Sequence, residues 1–286
     1  IERYGDLSSL RDLKARVGPF ILRRLKTDKA IISDLPEKVE LSEWVGLSKE
    51  QKSLYAKTVE DTLDAIARAP RGKRHGQVLG LLTKLKQICN HPALALKEQG
   101  ASEDFLKRSV KLQRLEEILD EVMEAGDRAL LFTQFAEWGK LLQDYLQRRW
   151  RSEVPFLSGS TSKSERQAMV DRFQEDPRGP QLFLLSLKAG GVGLNLTRAS
   201  HVFHIDRWWN PAVENQATDR AYRIGQTNRV MVHKFITSGS VEEKIDRMIR
   251  EKSRLAEDII GSGEDWLGGL EMGQLKELVS LEDNQA

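Results

Sequence analysis

The sequence has 286 residues, which suits one large domain or one domain that carries an insert. About 40% of the residues are hydrophobic and 31% are charged, the balance of a globular protein with a polar surface. No run approaches the ~18 consecutive apolar residues of a spanning helix, so no membrane partner is expected. The single cysteine, Cys89, excludes an internal disulfide, argues against a cysteine-based zinc site and favours a reducing compartment.

The charges are unevenly distributed, although the formal net charge is only +2. Residues 65–97 contain seven Lys or Arg and no acid, whereas residues 257–286 contain eight acids and one base. The basic stretch is compatible with phosphate contacts and equally with a solvated helical face. The chain starts at Ile1 and shows no signal peptide, so we expect it to be part of a longer protein.

The first elements predicted along the chain are an entry segment and a helical region. Residues 1–47 combine prolines with mixed charge, which predicts a strap rather than a packed domain. Ser48 and Gln51 have the spacing of a capping box and start a helix that extends to about residue 69. A second helix is predicted over residues 76–88, before a proline that disfavours further helix.

From residue 111 onward, short apolar strands alternate with helices. The predicted strands cover residues 128–135, 154–157, 181–187, 201–206 and 229–236, and the predicted helices cover 111–123, 138–150, 162–173, 211–223, 240–260 and, in the acidic tail, 272–281. This alternation is typical of an α/β protein with a parallel sheet covered by helices on both faces. Ligands bind outside the carboxyl ends of such strands, so the loops after Leu187, after Asp206 and around Ser158 are candidates.

The strongest motif is QATDRAYRIGQ, residues 216–226. A helix that starts at the cap residue Asn210 would place Gln216, Arg220 and Arg223 on one face. Two guanidinium groups on one face suit a triphosphate, because each is a planar, permanently charged fork of donors. The alternative is a pair of surface arginines in salt bridges, which the rest of this string disfavours.

A glycine-rich loop follows the predicted strand 181–187. Gly190, Gly191 and Gly193 would let the backbone approach a ligand closely and adopt positive φ. A glycine-rich loop alone is a weak signal, but this one lies after a strand and before QATDRAYRIGQ, which favours a ligand site.

The motif string resembles motif VI of superfamily 2 helicase-like ATPases, and its RIGQ ending resembles the Swi/Snf branch. LFTQF resembles motif IV, and LSGST together with Arg166 and Phe173 resembles motif IVa. LLSLKAGGVGLNLT resembles motif V, and DRWWNP resembles the segment between motifs V and VI. The strings FILRR, LPEK and LKQICNHP fit the entry and the helical protrusion. The chain therefore resembles the second RecA-like lobe of a Swi/Snf-type ATPase, near the archaeal and bacterial members related to recombination-associated remodellers.

The resemblance implies four segments and a set of site residues. The segments are an entry strap (1–47), a helical protrusion (48–110), a RecA-like helicase C-terminal lobe (111–260) and an acidic tail (261–286). The implied catalytic residues are Arg220, Arg223 and Gln216, and the implied nucleotide-binding residues are Gly191, Gly193, Asn195 and Gln226. The implied DNA contacts are Ser158, Gly159, Thr161, Ser186, Lys188, Arg207, Trp209 and Asn210. Trp209 would be an apolar wedge at the minor groove, whereas Trp208 is expected in the core, and no metal site is expected.

The sequence contains neither a GxxxxGK[ST] phosphate loop nor a DEAH-type string. In the resembled family both belong to the first lobe, so ATP and Mg²⁺ would be bound mainly by an N-terminal RecA-like lobe of the same protein. We expect this chain to be inactive alone and, within that protein, to translocate on double-stranded DNA and displace a DNA-bound protein. The expected location is the cytoplasm or nucleoid of a prokaryote, or the nucleus of a eukaryote.

Three other functions are alternatives to a motor lobe. A dinucleotide-binding oxidoreductase would need G-x-G-x-x-G after its first strand, and the AGGVG string lacks that spacing and lies late in the chain. A non-enzymatic DNA-binding module remains compatible with the isolated chain. A strand-separating helicase remains open as well, although RIGQ and WWNP favour translocation on duplex DNA.

Overall fold

The computed structural model describes residues 35–187, 193–255 and 271–282. From Pro36 onward the chain forms one compact unit. Most of the predicted strap, the centre of the glycine-rich loop and residues 256–270 lie outside the described residues.

The described chain contains a parallel sheet of six strands, which confirms the predicted α/β class. The strands are β1 Lys38–Val45, β2 Ala129–Thr133, β3 Phe156–Leu157, β4 Leu182–Ser186, β5 His201–His204 and β6 Val230–Thr237. Their spatial order is β1-β6-β5-β2-β4-β3, and every neighbouring pair is parallel. The carboxyl ends of all these strands therefore meet at one edge, hereafter the carboxyl edge.

Helices precede, connect and follow the strands. They are α1 Lys49–Arg68, α2 Arg71–Asn90, α3 Pro92–Leu96, α4 Val110–Ala125, α5 Ala136–Trp150, α6 Lys163–Glu175, α7 Pro211–Thr218, α8 Val241–Leu255 and α9 Met272–Val279. The predicted capping box at Ser48 and Gln51 is confirmed. Ser162 and Glu165 form another capping box at the start of the helix predicted over residues 162–173. In the part of the chain that is described, none of the helices combines the length and apolar character needed to cross a bilayer.

Apolar side chains of alternating strand positions pack on the two faces of the sheet. On one face, residues such as Leu131 and Leu184 pack with α4 and α5. On the other face, Phe132 and Leu185 pack with Phe173 of α6 and with the segment around α7. Helices therefore cover both faces of the sheet, as the apolar strands predicted.

A third cluster of buried residues, here called the helical core, joins elements that are distant in the sequence. It is formed by side chains of α1 and α2 together with residues of α8 and α9. The short helix predicted in the acidic tail is confirmed at α9, and its Leu275 and Val279 are buried in this core. The predicted protrusion thus shares its hydrophobic core with the end of the chain.

The entry segment was expected to stay outside the packed domain, and for residues 38–45 this expectation was wrong. These residues form β1, which pairs in parallel with β6 from Lys38 opposite Val230 to Val45 opposite Thr237. The partner strand is far away along the chain, so the local mixture of charged and apolar residues gave no sign of the pairing.

The helix predicted over residues 211–223 is also shorter than expected, because α7 ends at Thr218. The Thr218 hydroxyl pairs with Nε2 of His204 at 2.8 Å, and the amide of Leu196 donates to the carbonyl of Arg220 at 2.9 Å. These bonds hold residues 218–220 against the sheet, where the chain turns. Gln216, Arg220 and Arg223 consequently do not form one face of a continuous helix.

Candidate nucleotide and DNA interface

The candidate site lies at the carboxyl edge of the sheet. Thr133 ends β2 and stands opposite Ser186, which ends β4. Ser186 is buried, as is His204 at the end of β5. Of the predicted site residues that the structure describes, Ser158, Gly159 and Thr161 follow β3, and Arg207, Trp209 and Asn210 follow β5. The parallel sheet therefore brings these two groups to a common edge.

Asp206, two residues after β5, joins three segments at this edge. Its carboxylate accepts hydrogen bonds from the Thr133 hydroxyl at 2.5 Å, from Nδ2 of Asn90 at 3.0 Å and from both the backbone amide and the side-chain amide of Gln134 at 3.0 and 2.9 Å. Asp206 is only 1% exposed, so these donors supply what water would otherwise give the carboxylate. The end of α2 and the loops after β2 and β5 are thereby fixed to one another.

The Lys86 side chain is buried beside the two tryptophans of the loop after β5. Its Nζ donates to Oε1 of Gln134 at 2.9 Å and lies 4.9 Å from the Trp209 ring centroid and 5.9 Å from that of Trp208. Both indoles are partly buried, and Trp209 packs against the helical core. Lys86 is not among the site residues predicted from the sequence, although the string LKQICNHP contains it.

Arg207 was predicted to contact DNA, and its geometry contradicts this. Its Nε lies 2.9 Å from Glu214 Oε1 and its Nη1 lies 2.5 Å from Asp246 Oδ1, with all three side chains at most 5% exposed. Glu214 also accepts the backbone amide of Trp208. The guanidinium is therefore engaged inside the protein, where it fixes the tryptophan loop to α7 and α8.

The two arginines of the motif string occupy different environments. Arg220 is 8% exposed, and its guanidinium carbon lies 5.9 Å from the centroid of the Phe132 ring. Burial lowers the pKa of Arg220, and the positive charge of Arg166 lowers it further. Arg223 is exposed, as is Gln216 on α7. Arg220 is thus a buried cation near the carboxyl edge, and Arg223 is a solvent-facing one.

Arg166 of α6 is a third cation near this site, and it is not among the catalytic or binding residues predicted from the sequence. Within the described segments its Nε is buried and has no hydrogen-bond acceptor. Arg166 precedes Met169, Val170 and Phe173 at helical spacing, and these residues pack in the same cluster as Ala221. That spacing was the available signal, because it directs Arg166 toward the segment that contains Arg220.

The predicted nucleotide contacts have mixed outcomes. Gly193 is exposed with φ of +105°, the left-handed conformation that a glycine-rich loop can adopt, and Asn195 is exposed nearby. Gly191 lies outside the described residues. Gln226 is only 4% exposed, and its amide donates to the carbonyls of Ala199 and Ala221 while its oxygen accepts from a backbone amide. This side chain closes a turn, which contradicts a direct nucleotide contact.

The loop after β3 contains three predicted DNA contacts. The Thr161 hydroxyl accepts the amide of Ser158 at 3.0 Å, and the Thr161 amide donates to the Ser158 carbonyl at 3.2 Å. Gly159, at the tip of this closed turn, is exposed and has open space around it. The tip is therefore free to approach a phosphate, whereas the Ser158 amide is already used.

The remaining predicted contacts lie around the start of α7. Asn210 caps α7 through a 2.9 Å hydrogen bond from the amide of Ala212 to its side-chain oxygen, so its NH₂ group is the part oriented for other partners. Lys188 lies outside the described residues. Among the residues that are described, no group of three or more His, Cys, Asp or Glu is arranged to hold a metal ion.

Comparison with family models and solved structures identifies the family. The model described as the Helicase conserved C-terminal domain matches residues 110–225, and the SNF2-related domain matches residues 4–94. The solved SWI2/SNF2 ATPase C-terminal domain of Sulfolobus solfataricus is 39% identical, with a TM-score of 0.73, over 86% of this chain and 100% of that one. The chain belongs to the SWI2/SNF2 family of helicase-like ATPases. Its resemblance to the second, RecA-like lobe of that family is confirmed.

Longer members of the family extend the comparison. The Sulfolobus SWI2/SNF2 ATPase core solved in complex with double-stranded DNA is 44% identical, with a TM-score of 0.76, over 98% of this chain and 58% of that one. Bacillus subtilis YwqA, named among the ATP-dependent helicases and translocases, is 47% identical over 98% of this chain. A CHD3-type chromatin-remodeling factor of Arabidopsis thaliana is 33% identical. The chain spans 30% and 25% of the lengths of these last two relatives.

Proposed function

We propose that this SWI2/SNF2 domain is the second motor lobe of a DNA-dependent ATPase that translocates on duplex DNA and displaces bound proteins. The observation that carries the proposal is the position of the Arg220–Arg223 segment. It follows α7 and packs on the sheet, with the Arg220 guanidinium beside the Phe132 ring and the Arg220 carbonyl hydrogen-bonded to Leu196, which follows the glycine-rich loop. The similarity to an ATPase core that was solved on double-stranded DNA supports a DNA substrate.

In the proposed mechanism, ATP lies between this lobe and a preceding lobe that holds its phosphates. When water attacks the γ-phosphate, negative charge accumulates on the phosphoryl oxygens, and nearby guanidinium groups stabilise it. Arg223 is exposed and can extend across the gap between lobes, whereas Arg220 is held by the fold. The sequence has no GxxxxGK[ST] loop, so the phosphate cradle and the Mg²⁺ ligands are assigned to the other lobe.

The proposed DNA contacts are the exposed tip at Gly159 together with Trp209 and the side-chain NH₂ group of Asn210, whereas Ser186 is buried and is not included. Contacts of this kind involve the phosphate backbone and the groove surface, so they are independent of base sequence and weaken with salt. Closure of the two lobes on ATP and reopening after hydrolysis would move these contacts relative to those of the other lobe. The result would be stepwise movement along the duplex.

The first experiment compares ATP turnover by the full-length protein that contains this domain with turnover by the 286-residue chain, each with and without duplex DNA. We expect DNA-stimulated turnover from the full-length protein and none from the chain. Turnover by the chain alone would contradict the two-lobe site.

A second experiment tests the arginine role with Arg223→Ala in the full-length protein. We expect turnover to fall by about 10³-fold or more while DNA affinity stays unchanged, because an arginine finger acts on the transition state. Arg178→Ala is the matched control, since Arg178 is also exposed but lies in the loop before β4, outside the motif string. Turnover of Arg223→Ala within about threefold of wild type would exclude the finger role, because it is far below the expected loss.

A further inference from the structure

The last turn of α2 is connected to the tryptophan loop through a closed set of side chains. Lys86 and Asn90 lie one turn apart on α2 and both point to the carboxyl edge. Lys86 donates to Oε1 of Gln134, Nε2 of Gln134 donates to Asp206, and Asp206 accepts from Asn90. The ring of contacts thus begins and ends on the same helix, so α2 cannot shift relative to the loops after β2 and β5 without breaking polar bonds.

Lys86 is only 1% exposed, so its charge is largely removed from water. A cation that is removed from water needs polar or aromatic partners to compensate its lost hydration. The carbonyl oxygen of Gln134 and the faces of two indoles act in this way at 2.9, 4.9 and 5.9 Å. An ammonium close to an indole face attracts the ring electrostatically, and more strongly when water is excluded.

The same tryptophan also contacts the helical core. Trp209 packs against that cluster, to which α2 contributes the buried residues Leu82, Leu85 and Ile88 and to which α8 and α9 also contribute. The position of the Trp209 ring is therefore defined from two sides, by the apolar surface of the helical core and by the Lys86 charge. The sheet alone does not define it.

We propose that Lys86 is a positioning residue that locks the Trp208–Trp209 loop to α2, so that the helical protrusion sets where Trp209 meets the DNA. The proposal deepens the proposed function and rests on it for the DNA role of Trp209. Lys86 itself acts through the indole and touches neither nucleotide nor DNA. Its loss should affect movement along DNA more than the chemistry of ATP.

The test uses Lys86→Met in the full-length protein, with ATP turnover and distance moved per ATP measured on the same duplex by triplex displacement. Turnover at saturating DNA should stay close to wild type. Distance per ATP should fall about fivefold to thirtyfold, the factors that correspond to losing a desolvated cation–π contact of about 1–2 kcal/mol. Lys86→Arg should restore most of the movement, because arginine keeps the charge and stacks on indoles.

Lys84→Met is the matched control, since Lys84 lies on the same helix but is exposed, and it should leave both quantities unchanged. Unchanged distance per ATP in Lys86→Met would overturn the proposal, as would an equal loss in Lys84→Met. A proportional loss of turnover and movement would overturn it as well, because that result indicates a general structural role. If Lys86→Met does not fold, Lys86→Gln provides the uncharged variant that still donates to Gln134.

A spectroscopic measurement separates this proposal from the proposed function. The emission of wild type minus that of Trp209→Phe reports Trp209 alone, and a charge 4.9 Å from its ring shifts that emission. The difference spectrum should shift in the Lys86→Met background and return in Lys86→Arg. If the full-length protein lacked DNA-stimulated turnover but this shift were present, the proposed function would fail while the positioning by Lys86 would stand. An unshifted spectrum would overturn the positioning.

Discussion

Arg207 and Asp246 form an ion pair that is buried on both sides, with Nη1 and Oδ1 2.5 Å apart and the side chains 5% and 4% exposed. Glu214 completes the arrangement on the other side of the guanidinium. Arg207→Ala leaves the buried Glu214 without its cation and removes the buried one of the two cations at Asp246. Removal of one partner from a buried pair costs about 3–5 kcal/mol. We expect this loss in the free energy of unfolding measured by urea denaturation.

The chain offers a matched control for this pair. Arg250 contacts the other oxygen of Asp246 at 2.7 Å, but its side chain is 58% exposed, so Arg250→Ala should cost at most about 1 kcal/mol. Equal losses in the free energy of unfolding for the two substitutions would show that burial does not determine the contribution of Arg207 to stability. A large loss of DNA affinity in a stable Arg207→Ala protein would instead restore the DNA contact first expected for this residue.

The buried, neutral ring of His91 should make the protein less stable at acidic pH. Its Nδ1 accepts the amide of Ala93 at 3.0 Å at the start of α3, and its Nε2 donates to the Phe105 carbonyl, so the ring is neutral. Burial lowers the pKa of His91 from 6.5 to about 4. The unfolded chain therefore binds a proton below pH 6.5, whereas the folded protein does so only near pH 4. The contribution of His91 to the free energy of unfolding is therefore complete above pH 6.5. It falls by about 2 kcal/mol when the pH is lowered to 5.

His91→Asn tests this, because an asparagine oxygen can still cap α3 but does not titrate. The variant should lose less stability than wild type between pH 7 and pH 5, as measured by urea unfolding at each pH. His204 is also buried, with a pKa lowered to about 3, and contributes to the acid sensitivity of both proteins. His75→Asn is the control, since His75 is exposed and should leave the pH profile unchanged. A variant profile parallel to that of wild type would contradict the assignment.

Two helix glycines should respond in opposite directions to alanine. A Cβ at Gly139 of α5 would stand 2.3 Å from Cζ of the buried Phe156, and such overpacking costs about 1–3 kcal/mol. A Cβ at Gly80 of α2 meets nothing within 4 Å, so Gly80→Ala should stabilise the protein by up to about 1 kcal/mol through helix propensity. Shifts of the same sign in the urea midpoint would argue against the packing of α5 on β3.

The sequence predicted those elements whose signals are local. Apolar runs marked β2 to β6, and the capping residues Ser48 and Ser162 marked the helices that they start. β1 was missed because its pairing with β6 joins distant parts of the chain. Helix α7 was predicted too long because its end depends on the contact between Thr218 and His204, which only the folded sheet creates.

The same limit applies to the candidate site: local motifs are visible in the sequence, but contacts between distant segments are not. Its position at the carboxyl edge follows from strand order, and the motif strings supply the loop residues on which the proposed function rests. Arg207 and Gln226 were misassigned because a motif does not reveal burial, and their partners come from other elements. Lys86 was overlooked because its importance arises only where α2 meets the tryptophan loop.

Trp209 should couple ATP hydrolysis to movement along DNA. In Trp209→Ala the partly buried indole between the helical core and Lys86 is lost, so the loop loses the apolar surface proposed to track the groove. ATP turnover with duplex DNA should persist while triplex displacement per ATP falls about tenfold, as expected when a base-stacking or wedge contact of about 1–3 kcal/mol is removed. Trp150→Ala is the control, because Trp150 is also partly buried but ends α5, away from the carboxyl edge. Unchanged displacement per ATP would exclude Trp209 as the tracking residue and would direct the search to the exposed tip at Gly159.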